Sequence, residues 1–262
     1  MDRFVDERDF KLLDSDKYTF FVLRRILGGE CALIASDHEK LIICHSANPY
    51  PVWVWTPDGA EEAELERAYQ ELKQDAFLDG RHTFNLKYDL AEYVIKRAAE
   101  DGLNLSITMN MMAYDCPDPV EPTPAEGSAR KCTDADFDTL VEFIDGFHVD
   151  TGVDVQTRDV YEGHARRNID EGKTYFWKDA SGKPVACCKY GPNGEMAGIN
   201  LVYTPPTERR KHYAENLVYY VTKLAASEGY LPMLYTNADY VASNECYKKI
   251  GYILRGSLCT IG

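Results

Sequence analysis

The segment 199–214, INLVYTPPTERRKHYA, restricts the fold of this chain more than any other stretch. Its first residues carry apolar side chains at every second position, the period of a half-buried strand: Ile199, Leu201 and Tyr203. Pro205 and Pro206 lack the N–H groups that a strand needs, so the strand must end before them. Apolar residues then recur at helical spacing up to Gly229: Ala214, Leu217, Val218, Val221, Leu224 and Ala225. The segment therefore predicts a strand, a proline turn and a helix in immediate succession.

The start of this predicted helix carries a concentration of basic side chains: Arg209, Arg210, Lys211 and His212. Cations at a helix N-terminus are disfavoured by about 0.3 to 1 kcal/mol each, because the helix dipole is positive there. The free N–H groups of a first helical turn also bind phosphate. A polyphosphate ligand would account for both features. The alternative is a solvated basic turn whose charge is balanced by Glu208 and Glu215.

The overall composition limits the size and the partners of the protein. With 262 residues, 45% of them hydrophobic, the chain can form one large domain or two ordinary domains. A net charge of −14 argues against a nucleic-acid partner, which would require a basic face, but is compatible with a cationic substrate. No apolar run approaches the length of a membrane span, and the N-terminal MDRFVDERDF is too charged for a signal peptide. We therefore expect a cytoplasmic protein with no membrane partner.

The eight cysteines do not follow a pattern typical of a disulfide framework or a metal site. No Cys-x-x-Cys pair and no His-Glu-x-x-His motif occurs, and Cys187 and Cys188 are adjacent. Cys44 and His45 are neighbours on one predicted strand, where packing explains them better than metal binding. We expect buried or incidental thiols and no bound metal.

Residues 1–117 predict an α/β domain. Three helices are predicted where apolar residues recur at helical spacing or an apolar run ends at glycines: 18–26, 60–75 and 88–100. Four strands are predicted from short apolar or alternating runs: 31–35, 41–44, 51–57 and 103–114. Trp53 and Trp55 share one face of the third strand, where core packing is a better explanation than a ligand platform.

A proline-rich segment separates this half from the next. Residues 116–128 read CPDPVEPTPAEGS and offer almost no side chains to bury, so we place a linker at 118–127 and a second domain at 128–262. Besides the central strand and helix, this domain is predicted to contain helices at 133–147, 159–170 and 243–249. Its other strands are predicted at 174–178, 184–189, 231–236 and 252–261. This order predicts a mixed sheet with helices on both faces.

Separated motifs in the second domain resemble those of the GNAT superfamily of acetyl-CoA-dependent N-acyltransferases. VYTPPTERRKHYA, residues 202–214, resembles the family's pyrophosphate-binding motif, written R/Q-x-x-G-x-G/A after a bulged strand. LYTNADYVASNECYKKIGY, residues 234–252, is similar to the family's strand-to-helix segment that ends in Tyr-x-Lys-Ile-Gly-Tyr. EGSARKCTDADFDTLVEFIDGF, residues 126–147, resembles the start of such domains in a subgroup with an extra N-terminal half. No Walker loop or GxGxxG supports a rival nucleotide site.

The resemblance implies an α/β fold, with a GNAT-like, mixed and mostly antiparallel sheet flanked by helices. Residues 128–262 would form the acetyltransferase domain and residues 1–117 a companion domain that is a candidate degenerate copy of it. It also implies a set of residues for binding acetyl-CoA: Val202, Tyr203, Thr204, Arg209, Arg210, Lys211, His212, Tyr213, Ala214, Asn237, Ser243 and Asn244.

Within that set the resemblance implies separate roles. Val202, Tyr203 and Thr204 would supply backbone beside the thioester arm, with N–H groups near Val202 stabilising an oxyanion. The amides of residues 210–214 would hold the pyrophosphate, with the basic side chains of 209–211 as electrostatic support. Tyr247 matches the family's tyrosine that protonates the departing CoA thiolate, with simple packing as the alternative.

Two positions depart from the family pattern. His212 stands where the motif has its first glycine, and its Cβ restricts the backbone, although histidine tolerates positive φ better than most residues. Tyr240 stands where the family often has an asparagine that contacts the cofactor, which leaves Asn237, Ser243 and Asn244 as the polar candidates. These departures would suit a weakened enzyme or a domain that only binds.

The acceptor is predicted only by class, as a primary amine on a small molecule or peptide that attacks directly in a ternary complex. A lysine-like amine has a pKa of about 10.4 and is mostly charged at pH 7, so a base or water chain must take its proton. Glu195 and His148 are available, but isolated acids and histidines are commonly surface residues, so neither is assigned. A non-catalytic acyl-CoA-binding or interaction module and a structural scaffold stay as alternatives.

Overall fold

The computed structural model describes residues 1–152 and 155–262. Its α-helices are α1 Glu7–Leu12, α2 Phe21–Leu27, α3 Glu62–Gln74, α4 Tyr88–Glu100, α5 Phe137–Thr151, α6 Arg158–Glu171, α7 Tyr213–Ser227 and α8 Val241–Lys249. Its strands are β1 Leu33–Ser36, β2 Ile42–His45, β3 Val52–Trp55, β4 Phe84–Leu86, β5 Ile107–Asp115, β6 Ser128–Lys131, β7 Thr174–Lys178, β8 Pro184–Asn193, β9 Met196–Tyr203, β10 Leu231–Asn237 and β11 Ile253–Ile261. Short 3₁₀ turns occur at Asp134–Asp136 and Pro206–Glu208. None of the helices in these residues is long and apolar enough to cross a lipid bilayer.

Most predicted elements form, and two of them, α4 and β7, have the predicted bounds. Strand β5 starts at Ile107 and not at Leu103, because the Leu103 N–H bonds to the Ala98 carbonyl at 2.8 Å and Gly102 is left-handed, with φ of 81°. Those residues therefore cap helix α4. Helix α1 and strands β4 and β6 were not predicted, since six, three and four residues are too few to show a hydrophobic period.

The chain divides into two compact units that differ from the domains predicted from the sequence. The first unit contains residues 1–114, 235–240 and 254–262, and the second contains residues 115–234 and 241–253. Most of the C-terminal strand, which we predicted in the second domain, therefore lies in the first unit. The sequence could not show that residues 235–240 and 254–262 belong to the first unit, because their place depends on which strands pair.

The first unit is built on a sheet with strand order β1-β2-β3-β4-β11-β5. Helices α3 and α4 pack on one face, in a core that includes Tyr69, Leu72, Leu90 and Val94 with Ile43 and Val54 of the sheet. Helix α2 packs on the other face, in a core that includes Leu23 and Leu27 with Ile42, Cys44, Trp53 and Trp55. Both tryptophans are thus core residues, 6% and 2% exposed, as the sequence analysis favoured.

The second unit is built on a sheet with strand order β10-β9-β8-β7-β6. The pairs β6/β7, β7/β8 and β8/β9 are antiparallel, whereas β9 and β10 are parallel. Helices α5 and α6 pack on the face that Phe176 and Cys187 present. Tyr175 alternates with Phe176 along β7 and contacts Tyr220 of α7, with ring centroids 5.7 Å apart. Helix α7 therefore covers the opposite face.

The proline-rich segment is bound to the second unit along its length. The Val120 N–H donates to the Ile250 carbonyl at 3.0 Å, and the Asn216 side-chain amide donates to the Thr123 carbonyl at 2.9 Å. The Trp177 indole N–H donates to the carbonyl of Glu126 at 2.9 Å. Residues 118–127 are therefore a tethered part of this unit, not a free connector.

A buried carboxylate organises the N-terminal end of the first unit. Asp9 is fully buried, and its oxygens accept hydrogen bonds from the Ser36 hydroxyl and from the Asp6 N–H at 2.8 Å, while His38 Nδ1 lies 2.8 Å away. Atoms that could bind a metal ion also lie within 4.8 Å of one another in this group, one each from Asp6, Asp9 and His38. These protein partners already occupy both Asp9 oxygens, so the group is explained by hydrogen bonding alone.

We predict that Asp9→Ala lowers the free energy of unfolding by about 3 kcal/mol, because it leaves buried donors without an acceptor. Urea denaturation followed by circular dichroism would measure the change. Asp14→Ala is the matched control: Asp14 is 60% exposed and pairs with Arg24 at the surface, so its loss should cost less than about 1 kcal/mol. Equal effects of the two substitutions would contradict the assigned role of Asp9.

Candidate functional site

A β-bulge interrupts the pairing of the two central strands of the second unit. Lys189 of β8 pairs with Asn200 of β9, but the next pair joins Cys187 to Tyr203, so β9 contains one extra residue in this interval. Leu201 absorbs the extra residue with a left-handed φ of 51°. A bulge of this kind bends the strand and increases its twist. The predicted bulged strand before the basic turn is therefore present.

Strands β9 and β10 are paired over a short distance. Residues 196–198 pair with residues 231–233, whereas β9 continues to Tyr203. In the described part of the second unit, the parallel ladder thus ends before the bulge begins. Val202 and Tyr203 follow the bulge and are half-buried, so their backbone lies at the end of the strand where β9 has left its ladder with β10.

The turn between β9 and α7 contains two left-handed residues that are not glycine. Arg210 has φ of 63° and His212 has φ of 62°, and His212 directly precedes the first residue of α7. His212 therefore adopts the conformation for which glycine is the usual residue, at a cost of roughly 1 kcal/mol. The first N–H groups of α7 have no intrahelical carbonyl, as at any helix start. The turn thus combines left-handed backbone with free helix donors, an arrangement that binds anions.

Most basic side chains of the turn are already paired with carboxylates of the protein: Arg209 with Asp150, Lys211 with Glu208 at 2.8 Å and His212 with Glu215 at 2.8 Å. Arg209 also donates from Nε to the Thr204 carbonyl at 3.0 Å. Arg210 is exposed and makes no ion pair within residues 1–152 and 155–262. An external anion is therefore not needed to balance the turn, and the predicted alternative, a solvated basic turn, describes the side chains of Lys211 and His212.

The carboxylates of this turn are held in their charged form. Glu208 accepts hydrogen bonds from Lys183, at 2.7 Å, and from Lys211. These bonds lower the pKa of Glu208. Partial burial opposes ionisation of Glu215, but hydrogen bonds with His212 and Lys249 lower its pKa below the ordinary value. Both glutamates therefore stay ionised at neutral pH and hold the basic side chains in place.

Tyr247 lies on α8 close to the bulge. It is 7% exposed, and its ring centroid is 5.8 Å from that of Tyr252. Burial raises the pKa of Tyr247, with smaller contributions from the neighbouring thiols of Cys246 and Cys188, the second of which β8 contributes at the bulge. Tyr247 is therefore protonated throughout the neutral pH range.

The Lys-Ile-Gly-Tyr end of α8 is fixed by close packing. Gly251 has φ of 96°, and a Cβ atom there would lie 2.6 Å from the Asp118 carbonyl oxygen. The buried hydroxyl of Tyr252 is 2.8 Å from the hydroxyl of Thr222 on α7. Position 251 of the motif therefore requires glycine, and the hydroxyl pair holds the segment that follows α8 against α7.

The remaining predicted residues are distributed over both units. Ser243 is half-buried and Asn244 is 4% exposed, both on α8. Asn237 belongs to the first unit, where its side chain accepts the Asp239 N–H at 2.9 Å. Thr204, at the end of β9, has a buried hydroxyl without a hydrogen-bond partner among the described residues. Such an orphaned hydroxyl is consistent with a ligand-binding surface.

Neither candidate base lies in an environment that assigns it a role. Glu195 is exposed in the turn before β9, at the opposite end of that strand from the bulge. His148 of α5 stacks on Tyr161, with ring centroids 5.1 Å apart and an interplanar angle of 11°. The general base therefore stays unassigned.

Sequence reasoning missed one contact that shapes β9 after the bulge. Gly146 of α5 faces Tyr203, and a Cβ atom at Gly146 would lie 2.4 Å from the tyrosine hydroxyl oxygen and 2.7 Å from Cζ. The Tyr203 ring also packs edge-on against Phe143, 5.7 Å between centroids. A glycine within a predicted helix was the available signal, because glycine in a helix interior usually has a packing reason.

Comparison with known proteins finds one family model that matches part of the chain. Residues 140–252 match the sequence model of the acetyltransferase (GNAT) family. No protein with a curated description matches the sequence significantly.

Three solved structures illustrate the likeness in fold. An acetyltransferase of the GNAT family from Colwellia psychrerythraea is 11% identical with a TM-score of 0.60, covering 99% of this chain and 97% of that one. A GCN5-related N-acetyltransferase from Kribbella flavida is 14% identical with a TM-score of 0.64, covering 95% and 94%. A GCN5-related N-acetyltransferase from Sphaerobacter thermophilus is 11% identical with a TM-score of 0.67, covering 97% and 90%. The predicted α/β fold class is confirmed, and the likeness extends over both halves of the chain.

We predict opposite effects of adding a methyl group at the two glycines of α5 and α6. Gly146→Ala should destabilise the protein by about 1 to 3 kcal/mol, because the new Cβ displaces the Tyr203 ring. Gly163→Ala is the matched control, since nothing lies within 4 Å of its Cβ position, and it should stabilise by about 0.5 to 1 kcal/mol through helix propensity. Thermal unfolding of both variants checks this, and a stabilising Gly146→Ala would contradict it.

Proposed function

Residues 140–252 are those of a GNAT-family domain, and on that premise we propose that the chain is an N-acetyltransferase that moves an acetyl group from acetyl-CoA to a primary amine. The observation that carries the proposal is the bulge at Leu201 followed by the left-handed turn at the start of α7. In support, the residues that the family motif assigns to the thioester arm lie where β9 has left its ladder with β10, and those that it assigns to the pyrophosphate lie at a helix start with free N–H groups.

The residues of the turn fit a pyrophosphate better than their sequence suggests. His212 replaces the motif's first glycine, yet it has the left-handed backbone that glycine would provide. The orphaned hydroxyl of Thr204 offers a further donor at the end of β9. Arg210 leaves one cation free of protein carboxylates among the described residues. The N–H groups of residues 210–214 would therefore bind the diphosphate, and the Arg210 guanidinium would support them.

Bound acetyl-CoA supplies an activated acetyl thioester. Backbone from Val202 to Thr204 would align that arm along β9, and an N–H group near Val202 would stabilise negative charge on the acetyl oxygen as the amine attacks. A donor of this type contributes about 3 to 4 kcal/mol in other acyl-transfer enzymes.

Tyr247 would give its proton to the sulfur that leaves. A thiol has a pKa of about 8.5 in water, below that of an ordinary tyrosine, and burial raises the tyrosine pKa further. Full transfer of the proton to a free thiolate is therefore uphill, and burial makes Tyr247 a weaker acid, not a stronger one. Tyr247 would accordingly act late, by donating a hydrogen bond to the sulfur as negative charge develops on it, and it stays protonated at neutral pH before that step.

The alternative proposal is a non-catalytic acyl-CoA-binding or interaction module. The observation in its favour is that the protein's own carboxylates already occupy Arg209, Lys211 and His212, which reduces the charge available to a ligand. Binding and turnover must therefore be tested separately.

We predict that CoA at about one hundred times its dissociation constant stabilises the protein by about 2.7 kcal/mol. For a chain of this size the melting temperature should rise by roughly 5 to 10 °C. His212→Gly should retain this shift because glycine adopts the left-handed conformation freely, whereas His212→Val should lose most of it. No shift in the unsubstituted protein at millimolar CoA would leave a structural scaffold as the remaining interpretation.

We predict that Tyr247→Phe lowers kcat for acetylation by about a hundredfold or more while the CoA-induced shift in melting temperature is retained. Thiol release with a panel of small amines and lysine-containing peptides would identify a turned-over acceptor first. Tyr219→Phe, on α7, is the matched control and should leave kcat unchanged. Full turnover by Tyr247→Phe would remove the tyrosine from the mechanism, and CoA binding without turnover of any amine would favour the non-catalytic module.

A further inference from the structure

Two cysteines of the first unit lie in direct contact. Cys44 is the third residue of β2 and is fully buried, whereas Cys31 lies just before β1 and is half-buried. Their sulfur atoms are 3.4 Å apart. We propose that Cys31 and Cys44 form a reversible disulfide when the protein meets a peroxide.

The backbone on both sides holds the two thiols in this position. Strands β1 and β2 are antiparallel, with Ile34 opposite Cys44, and the Ala32 N–H bonds to the Ser46 carbonyl at 3.0 Å. The register between β1 and β2 therefore fixes the position of Cys31 next to Cys44. The Cys31 thiol also donates to the Ile26 carbonyl at 3.1 Å, which directs its side chain toward the end of α2.

Closing the bond requires a small movement. A disulfide has a sulfur–sulfur distance of about 2.05 Å, so the sulfurs must approach by a little more than 1 Å from their present contact. Gly28 and Gly29 precede Cys31 and give the segment freedom to adjust. Cys44 is held in β2 and is packed in the core with Trp53 and Trp55. Cys31 is therefore the residue that must move to close the bond.

The two thiols differ in access, which sets the order of the steps. Cys31 is partly exposed and meets the oxidant first: its sulfur attacks one oxygen of hydrogen peroxide, giving a sulfenic acid and one water. The Cys44 sulfur then attacks the Cys31 sulfur, the sulfur–oxygen bond breaks, and a second water leaves. Two thiols lose two electrons and two protons in all, and one peroxide is reduced to two waters.

Burial and the hydrogen bond to Cys31 raise the pKa of the Cys44 thiol. Cys44 is therefore a poor target for direct oxidation, and its resolving role rests on the 3.4 Å contact that holds its sulfur against that of Cys31. Reduction by an added dithiol would restore both thiols, since the exposed Cys31 sulfur is the one that an external thiolate can attack.

The second unit provides an internal comparison. Cys246 is partly exposed and lies near the fully buried Cys188, but no sulfur–sulfur contact joins them in the described residues. Cys132 lies near Cys187, and both are buried. Partial exposure combined with sulfur contact therefore distinguishes the pair in the first unit from these neighbours.

The test is peptide mapping of the native, full-length chain after brief treatment with hydrogen peroxide. Remaining thiols are alkylated before digestion with trypsin under non-reducing conditions. Lys40 lies between the two cysteines, so cleavage there places them on separate peptides, and a disulfide appears as one linked pair of peptides. We expect this pair in most molecules, with a loss of two of the eight alkylatable thiols and recovery after dithiothreitol.

Substitutions separate the proposal from unspecific oxidation. Cys31→Ser should abolish the linked peptides and leave Cys44 alkylatable after unfolding, whereas Cys246→Ser should leave the link intact. Cys31→Ser is preferred to Cys44→Ser because its half-buried site tolerates a hydroxyl, and circular dichroism would verify its fold. Unlinked Cys31 and Cys44 after oxidation of the native chain, or a link that forms only in denaturant, would overturn the proposal.

Discussion

The candidate site depends on one backbone irregularity, the extra residue at Leu201 in β9. An antiparallel pair of strands cannot accommodate an additional residue without a local bend, and here the left-handed conformation of Leu201 provides it. The strand then runs past the end of its ladder with β10, and Thr204 and the two prolines carry the chain into the turn. Tyr203 stays paired with Cys187 of β8, so it is the side of β9 toward β10 that has no ladder partner after Gly198 in the described residues.

The turn after β9 shows that backbone conformation, and not side-chain charge, is its distinctive property. The basic side chains that drew attention in the sequence are largely compensated by Asp150, Glu208 and Glu215. By contrast, Arg210 and His212 hold left-handed conformations that a non-glycine residue adopts only when the surrounding structure compensates the cost. The departure from the family's glycine at His212 therefore changes the side chain more than the path of the chain.

The sequence predicted the strand, proline turn and helix of residues 199–214 because period and prolines are local signals. It also predicted α4 and β7 with their observed bounds. It did not predict α1, β4 or β6, which are too short to show a period, or the contact between Gly146 and Tyr203, which joins residues far apart in sequence. The thiol contact between Cys31 and Cys44 depends likewise on the register of β1 and β2.

By itself, the sequence determined the resemblance to the GNAT family, the positions of most helices and strands, and Tyr247 as the candidate acid, since motifs and periodicity are properties of consecutive residues. Only the tertiary structure decided that residues 235–240 and 254–262 belong to the first unit, and that carboxylates from distant segments neutralise the basic turn. The physical reason is the same in each case. Strand pairing and ion pairing join groups that lie far apart along the chain, and no local pattern records which partner each group will find.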